Sequence, residues 1–411
     1  MRRVLLILLG VCGSVLGATA QPTPAEAFVQ VRGRQLFTPK SEPLLLRGIN
    51  LGNWLLPEGY MLRFEKAGSP WMIENVVAEL LGDVAAARFW HEWQQHYITR
   101  EDIAFIKRLG LNSVRVPFNW RVLVSATYPH TLEGPGWALL DRVVTWCREE
   151  GLWVVLDLHG APGGQTGANI DDSRGRPLLF DDPDAQALTI ELWTALARRY
   201  RDEPTVIGFD LLNEPIADYH DQAHYDPRLA PLYRRIGDAV RAVAPHQILF
   251  LGGAQWNTDF EAVGPPFAPN TVYTFHTYWT APDVSAIERY LAVREQYQVP
   301  LWLGESGENT DEWTSSFRQV LEAQDIGWCF WPYKKLDATS CIASIPPPRD
   351  WPAIIAYAEA TRGTYDEIRA ALPPLDVAQR ALAELLENLQ LSQNRLNRGY
   401  IEALGLTHVE P

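Results

Sequence analysis

Short apolar runs alternate with longer amphipathic stretches along most of the chain. The runs are rich in Val, Ile, Leu and Phe, and the stretches between them carry apolar residues at helical spacing. This alternation is typical of a parallel sheet built from strand-helix units. Eight apolar runs can be counted, at residues 44–50, 112–118, 152–158, 205–212, 246–252, 271–277, 300–306 and 327–333.

The stretches between the runs support this interpretation. Six of them are predicted to be helices, at residues 91–110, 136–151, 184–200, 230–244, 282–297 and 311–325. Gly110, Gly151 and Gly327 stand where helices are expected to end, because glycine adopts the left-handed cap conformation easily. Eight strand-helix units close a barrel, so we predict one α/β domain, a (β/α)8 TIM barrel, over residues 21–370.

Both ends of the predicted barrel carry additional segments. Residues 28–38 are predicted to form a small N-terminal β-hairpin that turns near Gly33 and caps the lower mouth of the barrel. Residues 371–411 are predicted to be a C-terminal helical extension, whose amphipathic run at 377–396 packs on the outside of the barrel. A dimerisation helix is the alternative, but we favour packing and expect a monomer.

Residues 1–20 have the pattern of a secretory signal peptide. Two arginines precede an apolar run, and a small-residue site that ends at Ala20 follows it. The run is shorter than the about 20 residues that a membrane span needs. A lipid-modified Cys12 would follow the bulky Val11, so we expect cleavage after Ala20 and a secreted or periplasmic protein without a membrane anchor.

The charge of the mature chain limits its partners. Two of the 36 Lys and Arg residues lie in the signal, which leaves 34 against 50 acidic residues and a formal charge of −16. This excess disfavours nucleic acid and anionic membranes as partners. Three cysteines remain, an odd number in a compartment that permits disulfides. Cys329 and Cys341 are close enough in sequence to pair, and we expect at most one bridge.

Polar residues stand where the predicted strands end. The fourth run stops at Asn213 and Glu214, and Pro215 ends the strand because it has no N–H to donate. In (β/α)8 barrels, the residues that carry chemistry lie at the C-terminal tips of the strands. The tips of the other runs hold Arg115, Asp157, His159, His276, Tyr278, Glu305 and Trp331.

Glu214 and Glu305, at the fourth and seventh tips, are predicted to face each other across the barrel mouth. Hydrolysis of a glycosidic bond needs one carboxyl group that is protonated and one that is ionised, with separate pKa values. We assign Glu214 as the proton donor and later the base, and Glu305 as the nucleophile. Arg115 can keep Glu305 ionised, and Tyr278 can donate a hydrogen bond to it.

These motifs resemble glycoside hydrolase family 5, a family of retaining hydrolases on a (β/α)8 barrel. The resemblance rests on Asn-Glu-Pro at 213–215, His-x-Tyr at 276–278, Gly-Glu-Ser at 304–306 and the aromatic residue that ends the eighth strand. It spans most of the mature chain. The segments RGINLGNW and DLHGAPGGQTG, at 47–54 and 157–167, are particularly similar to the exo-acting β-1,3-glucanases of the family.

The resemblance implies roles for the matching residues. Arg115 and Tyr278 would support the nucleophile, and Asn213 would bind the 2-hydroxyl of the sugar. The remaining residues of the implied sugar site are His159, His276 and, as the sugar platform, Trp331. The stretch FWPYKKLDATSC, at 330–341, departs from the glucanase form and is similar to bacterial members with less settled substrates, so the linkage stays open.

The leading hypothesis is a secreted retaining hydrolase of β-glucosidic bonds in β-glucans or related oligosaccharides. A β-mannosidase, a β-galactosidase or a transglycosylating member of the same family is the alternative within the enzyme class. A silent carbohydrate-binding barrel is the alternative outside it, and the glutamate pair argues against it. No cofactor is expected, and a metal site at His159 and His276 is disfavoured because the flanking residues lack metal-ligand spacing.

Tryptophans in the predicted loops are candidates for contacts with sugar rings. A flat indole suits the apolar face of a pyranose, although an aromatic residue at a barrel rim is often a packing residue. The candidates are Trp54, Trp120, Trp256, Trp279, Trp313 and Trp331, of which Trp54, Trp256 and Trp331 are predicted to bind substrate.

Four charged residues near the tips are interpreted as structural or solvated. Asp157 is expected to orient its neighbours, and Glu58 is expected to have no role in the chemistry. Lys334 and Lys335 could reach a substrate hydroxyl, but we interpret them as a surface pair.

Overall fold

The computed structural model describes residues 24–128 and 130–407, so the predicted signal peptide lies outside the described residues. Three short strands open the fold as an antiparallel sheet, β1 (Gln30–Arg32), β2 (Gln35–Phe37) and β3 (Pro43–Leu44). β1 and β2 are joined by a two-residue turn that contains Gly33 at a φ of 59°. This is the predicted hairpin, extended by a third strand.

Eight parallel strands close into a barrel and follow one another around it in chain order. Each of the eight apolar runs coincides with most or all of one of these strands, which confirms the predicted (β/α)8 fold. The ring closes where the last strand pairs with the first, with Trp328 opposite Arg47. The barrel strands are β4 (Arg47–Asn50), β5 (Ser113–Asn119), β6 (Trp153–Gly160), β7 (Val206–Asp210), β8 (Ile248–Gly252), β9 (Thr271–His276), β10 (Leu301–Glu305) and β11 (Gly327–Phe330).

The N-terminal sheet covers the lower end of the barrel. Val29 and Leu36 belong to the same buried cluster as Ile207 and Trp302, which are the second residues of their barrel strands. The sheet therefore buries the apolar residues at the strand beginnings and leaves the opposite end, where the strand tips lie, accessible.

Helices occupy the predicted connections, with two differences. The stretch 91–110 is divided between two helices, because Thr99 and Asp102 form a capping box that starts a new helix. Gly110 and Gly151 end helices in left-handed conformations, whereas Gly327 begins a strand. The helices are α1 (Pro70–Leu81), α2 (Asp83–His96), α3 (Arg100–Leu109), α4 (Gly136–Glu150), α5 (Pro183–Tyr200), α6 (Gln222–Arg241), α8 (Glu288–Tyr297) and α9 (Asp311–Ala323), and α7 (Ala254–Asn257) is a single turn whose residues 255–257 have positive φ angles and are not α-helical.

After the barrel, the chain forms a second small sheet and four helices. The sheet consists of β12 (Lys334–Leu336), β13 (Ala343–Ile345) and β14 (Arg395–Leu396) in that order. The helices are α10 (Trp351–Glu359), α11 (Tyr365–Ala371), α12 (Leu375–Asn388) and α13 (Arg398–Ala403). α12 packs its apolar side on α1, α2 and α10. The amphipathic run predicted at 377–396 continues this helix only as far as Asn388.

Membrane crossing and disulfide pairing can be assessed for the described residues. Within 24–128 and 130–407, no helix has the length and apolar character to cross a bilayer. Cys147, Cys329 and Cys341 are buried free thiols, so the structure contains no bridge between Cys329 and Cys341.

Lys334 does not form the surface pair expected from the sequence, because its side chain is fully buried. Its ammonium group lies 2.7 Å from Asp102 Oδ1 and donates to the carbonyl oxygens of Tyr97, at 3.0 Å, and Leu389, at 2.8 Å. Lys335 is also largely buried and pairs with Glu308 at 2.5 Å. The ammonium of Lys334 thus joins the loop after the last barrel strand to α3 and to the C-terminal segment.

We predict that Lys334→Met destabilises the fold by about 3–5 kcal/mol, because it leaves the Asp102 carboxylate buried without its cation. Denaturant titration of the variant measures this loss. Arg369→Met serves as the control, since the Arg369–Asp366 pair is 68% and 89% exposed and its loss costs less than about 1 kcal/mol. Equal effects of the two substitutions would contradict a stabilising role for the buried pair.

Candidate active site

Barrel closure brings Glu214 and Glu305 together. Glu305 is the last residue of β10, and Glu214 follows the end of β7. One oxygen of each carboxyl group and one nitrogen of His276 lie within 4.8 Å of one another. The two glutamates remain slightly accessible, at 7% and 5% of their surface, so a small ligand can reach them from the mouth of the barrel.

Arg115, on β5, is fully buried and binds three carboxylates. Its guanidinium donates to Glu305 Oε1 at 2.5 Å and to Asp210 Oδ2 at 2.9 Å, and it lies 3.1 Å from Asp157 Oδ1. Burial alone would lower the pKa of Arg115, but the three carboxylates outweigh this effect and raise it. Arg115 is therefore a permanent positive charge at the base of the site.

Four side chains beside this charge are linked by three hydrogen bonds and one ion pair. Arg115 donates to Asn213 Oδ1 at 2.8 Å, and Asn213 Nδ2 lies 3.3 Å from His159 Nε2. His159 Nδ1 lies 2.7 Å from Asp157 Oδ2, and Asp157 Oδ1 forms an ion pair with the guanidinium, without a hydrogen bond. Burial lowers the pKa of His159 to about 3, so the ring is neutral imidazole that donates through Nδ1 and accepts through Nε2. Asp157 thus orients its neighbours, as predicted.

Glu305 has the surroundings of an ionised carboxylate. In addition to Arg115, Tyr278 donates its hydroxyl to Glu305 Oε2 at 3.1 Å. Burial raises the pKa of Glu305 above its ordinary value, and the charge of Arg115 reduces this rise. Because both carboxylate oxygens accept hydrogen bonds from donors that favour the anion, Glu305 can remain charged inside the barrel.

Glu214 has different surroundings. Its Oε1 lies 2.7 Å from Nδ1 of His276, and burial lowers the pKa of that histidine far below its ordinary value, so His276 is neutral. Burial raises the pKa of Glu214 well above 4.5, and the negative charge of Glu305 raises it further. Among the described residues no cation contacts Glu214, so its surroundings favour the protonated form of the carboxyl group.

Trp331 lies flat against the site. Its ring stacks on His159 at a centroid distance of 5.4 Å and an angle of 11°, and its Nε1 donates to the Tyr60 hydroxyl at 2.6 Å. A Cβ atom at Gly52 would lie 2.4 Å from the indole, so only glycine at this position permits the arrangement. The packing leaves 2% of the Trp331 surface exposed.

Glu58 also belongs to the site, against the expectation from the sequence. It is 3% exposed, and its Oε1 lies 3.9 Å from His159 Nε2 without a hydrogen-bond partner in the protein. Burial raises the pKa of Glu58 well above its ordinary value, and the charges of Glu305 and Glu308 add to this. Glu58 lies in a loop eight residues after β4, so its sequence position carries no strand-tip signal.

The structure corrects the prediction for Trp54. This residue is 1% exposed, packs in the main hydrophobic core and donates its Nε1 to the carbonyl oxygen of Gln94 at 2.8 Å, so it has no surface for a sugar. Trp256 is half-buried beside Tyr219, with ring centroids 6.3 Å apart. Its predicted role stays open, whereas Trp313 packs in the core and Trp279 is 76% exposed.

Two buried polar residues of the site were not predicted from the sequence. Asn50, the last residue of β4, accepts from Arg115 at 3.1 Å and donates to the carbonyl oxygens of Gly304 and Cys329, each at 3.0 Å. Asp210 ends β7 and binds Arg115. Both end their strands, so the strand-tip rule could have found them, whereas Arg115 is the third of the seven residues of β5 and not at its tip as predicted.

The carboxyl pair also has the donor geometry of a metal site. Within residues 24–128 and 130–407, the only group of three side chains with such geometry consists of Glu214, His276 and Glu305. His159, the possible second metal ligand beside His276 in the sequence, does not belong to this group. The hydrogen bond between Glu214 and His276 already engages two of the three side chains.

Comparison with known proteins agrees with this geometry. Residues 78–337 match the family described as Cellulase (glycosyl hydrolase family 5). A β-xylosidase of Phanerodontia chrysosporium is 30% identical over 347 residues, which cover 75% of this chain and 71% of the relative. A probable glucan 1,3-beta-glucosidase A of Aspergillus clavatus is 30% identical over 253 residues, 59% of this chain and 58% of that protein.

A solved structure supports the fold. The crystal structure of an endogalactoceramidase superimposes with a TM-score of 0.60 at 17% identity, over 92% of this chain and 84% of its own. The family match, the β-xylosidase likeness and the paired glutamates at the strand tips lead to one conclusion. This chain belongs to glycosyl hydrolase family 5 and is a glycoside hydrolase.

Proposed function

We propose that this glycoside hydrolase cleaves β-glucosidic bonds by double displacement, with Glu305 as nucleophile and Glu214 as acid/base. The observation that carries the proposal is the short distance between their carboxyl oxygens, within 4.8 Å. Retaining glycosidases place the two carboxyl groups about 5–5.5 Å apart, whereas inverting enzymes leave about 6.5–9.5 Å for a water molecule. The spacing favours retention.

The proposed reaction has two steps. Glu305 attacks the anomeric carbon while Glu214 protonates the departing oxygen, and a covalent glycosyl-enzyme forms. Glu214, now ionised, then removes a proton from a water molecule that displaces Glu305 from the sugar. The product keeps the β configuration, because two inversions occur at the same carbon.

The electrostatic environment supports this division of roles. Arg115 and Tyr278 hydrogen-bond to Glu305 at 2.5 and 3.1 Å and favour its anion. Among the described side chains, only the neutral His276 lies within hydrogen-bond distance of the Glu214 carboxyl group. Burial raises the pKa of Glu214, and the negative charge of Glu305 raises it further. Once the nucleophile carries a sugar, its charge is lost, and the pKa of Glu214 falls, as its second role as a base requires.

Several side chains are proposed to bind the sugar. Asn213 uses one of its two amide N–H groups on His159, so the other can donate to the 2-hydroxyl. The unpartnered Oε1 of Glu58 can accept from another hydroxyl. Trp331, which is 2% exposed, is proposed as the sugar platform, and Trp256 is proposed to contact the substrate.

The substrate is proposed from the relatives. Their names describe glucan 1,3-beta-glucosidases and a β-xylosidase, and the β-xylosidase has the longer alignment with this chain. We propose β-glucosides as the substrate class, with β-xylosides as the second candidate that this alignment favours. Secretion after cleavage at Ala20 is also proposed and rests on the charge and pattern of residues 1–20. A monomeric state is proposed because α12 packs on α1, α2 and α10 of the same chain.

We predict that Glu305→Gln lowers kcat by at least about 10⁴-fold, since the amide cannot form the glycosyl-enzyme. Sugar affinity should remain nearly unchanged because the side-chain shape is preserved. Turnover of aryl β-glucosides and β-xylosides and calorimetric titration with the matching oligosaccharides measure the two quantities.

Glu312→Gln is the matched control for this substitution. Glu312 lies seven residues later, in the exposed first turn of α9, and its change should leave turnover intact. A Glu305→Gln variant with normal turnover would remove Glu305 from the mechanism. Initial release of the α-anomer from a β-linked substrate, observed by NMR, would refute double displacement.

We predict a bell-shaped dependence of kcat/KM on pH. Activity requires Glu305 ionised and Glu214 protonated, so the acid limb reports protonation of Glu305 and the basic limb reports loss of the Glu214 proton. Because the pKa of Glu214 is raised, it keeps its proton to a higher pH than an ordinary glutamate, and the basic limb lies well above pH 4.5.

A variant can assign the basic limb. With a 2,4-dinitrophenyl glycoside, which needs no proton to leave, Glu214→Ala should lose the basic limb of kcat/KM and keep the acid limb. Persistence of the basic limb at the same pH in this variant would mean that a group other than Glu214 produces it.

A further inference from the structure

The loop after the third barrel strand contains two fully buried polar residues for which the mechanism above has no role. Gln165 and Thr166 belong to the segment DLHGAPGGQTG and are 0% exposed. Neither bonds to a carboxylate of the site. Their side chains bind backbone groups at the tips of β6 and β7 instead.

Thr166 is bonded directly to the backbone of Glu214. Its hydroxyl donates to the Glu214 carbonyl oxygen at 2.8 Å, and its own carbonyl accepts from the Ala217 N–H at 3.0 Å. The Gln165 carbonyl accepts from the Ile216 N–H at 2.9 Å. Residues 165–166 therefore form hydrogen bonds with the peptide units on both sides of Pro215.

The backbone of residues 214–216 has an unusual conformation. Glu214 and Ile216 have φ angles of 44° and 59°, in the left-handed region that residues other than glycine rarely adopt. For a β-branched residue such as Ile216 this conformation is strained, and it persists only where surrounding contacts impose it. The bonds from Gln165 and Thr166 supply such contacts.

Gln165 and Thr166 are themselves held in place by further hydrogen bonds. The Gln165 amide donates to the carbonyl oxygens of His159, at 2.7 Å, and Asn213, at 2.9 Å, and its oxygen accepts from the Ala161 N–H at 2.9 Å. The buried carboxylate of Asp171 accepts from the Thr166 N–H at 2.7 Å. Thr166 therefore has little freedom to move relative to the barrel.

We propose that Thr166 is a positioning residue for proton transfer by Glu214. Its hydroxyl fixes the peptide that follows the Glu214 Cα, and this peptide sets the direction in which the carboxyl group leaves the backbone. The bond to His276, at 2.7 Å, depends on that direction. The inference rests on the proposed role of Glu214 as proton donor.

The test uses the dependence of the reaction on its leaving group. In Thr166→Val the methyl group cannot donate, so the buried carbonyl loses its partner and the peptide can rotate. Misplacement of a general acid by about 1 Å should lower kcat/KM by about 10²-fold for a 4-methylphenyl β-glycoside, whose leaving group needs a proton. For the 2,4-dinitrophenyl β-glycoside of the same sugar, which leaves unaided, the loss should stay below about threefold.

Two controls separate positioning from general loosening. Thr166→Ser keeps the hydroxyl and should restore activity on both substrates. Thr189→Val removes a fully buried threonine hydroxyl from a backbone carbonyl in α5, that of Ala185 at 2.8 Å, and should affect both substrates equally or not at all.

Three outcomes would overturn the positioning role. These are equal losses on the two substrates in Thr166→Val, no loss on either, and failure of both Thr166→Val and the smaller Thr166→Ala to fold while Thr166→Ser folds. The last outcome would assign the bond to fold stability alone.

Glu214→Ala keeps this test distinct from a test of the mechanism. If Glu214→Ala shows the leaving-group dependence and Thr166→Val does not, only the positioning role fails. If Glu214→Ala shows no such dependence, the assignment of Glu214 as the acid fails first.

Discussion

The site depends on a single buried guanidinium. Arg115 lies among Asp157, Asp210 and Glu305, so one positive charge is shared by three carboxylates in a region that excludes water. A buried carboxylate is costly unless it is paired and hydrogen-bonded. Glu305 contacts the cation, which favours its anion, whereas Glu214 does not contact it, and burial favours its protonated form. The position of one arginine relative to two glutamates thus gives the two carboxyl groups different surroundings.

The backbone around this charge is held by side-chain amides. Asn50 joins β4 to carbonyl oxygens at the ends of β10 and β11, and Gln165 joins the tips of β6 and β7. Both amides are fully buried, and in each the oxygen accepts a hydrogen bond from one partner while the nitrogen donates to others. In a parallel barrel the ladder bonds end at the strand tips, so these amides continue the bonding where the ladder cannot. The geometry of the carboxyl pair is therefore set by the ends of several strands at once.

The C-terminal segment braces the other side of the site. β14 pairs with β13, and β13 pairs with β12, which begins three residues after Trp331. The Lys334 ammonium binds the carbonyl oxygen of Leu389, and Tyr400 donates its hydroxyl to the carbonyl oxygen of Trp331 at 3.4 Å. α12 packs on α1, α2 and α10, and the C-terminal segment also supports the loop that carries the indole. A pattern of apolar residues identifies a buried face but not the partner that covers it.

The order of apolar runs was sufficient to predict the eight strands, and the polar residues at their ends identified the glutamate pair. Both are local signals, because strand periodicity and strand termination are properties of a few consecutive residues. The burial of Trp54, the place of Glu58 beside His159 and the burial of Lys334 were decided only by the tertiary structure. Each depends on which distant element packs against the residue, and a single sequence carries no record of that distance. The same reason separates the presence of two carboxyl groups, which the sequence determines, from their spacing and their different surroundings, which ring closure around Arg115 decides.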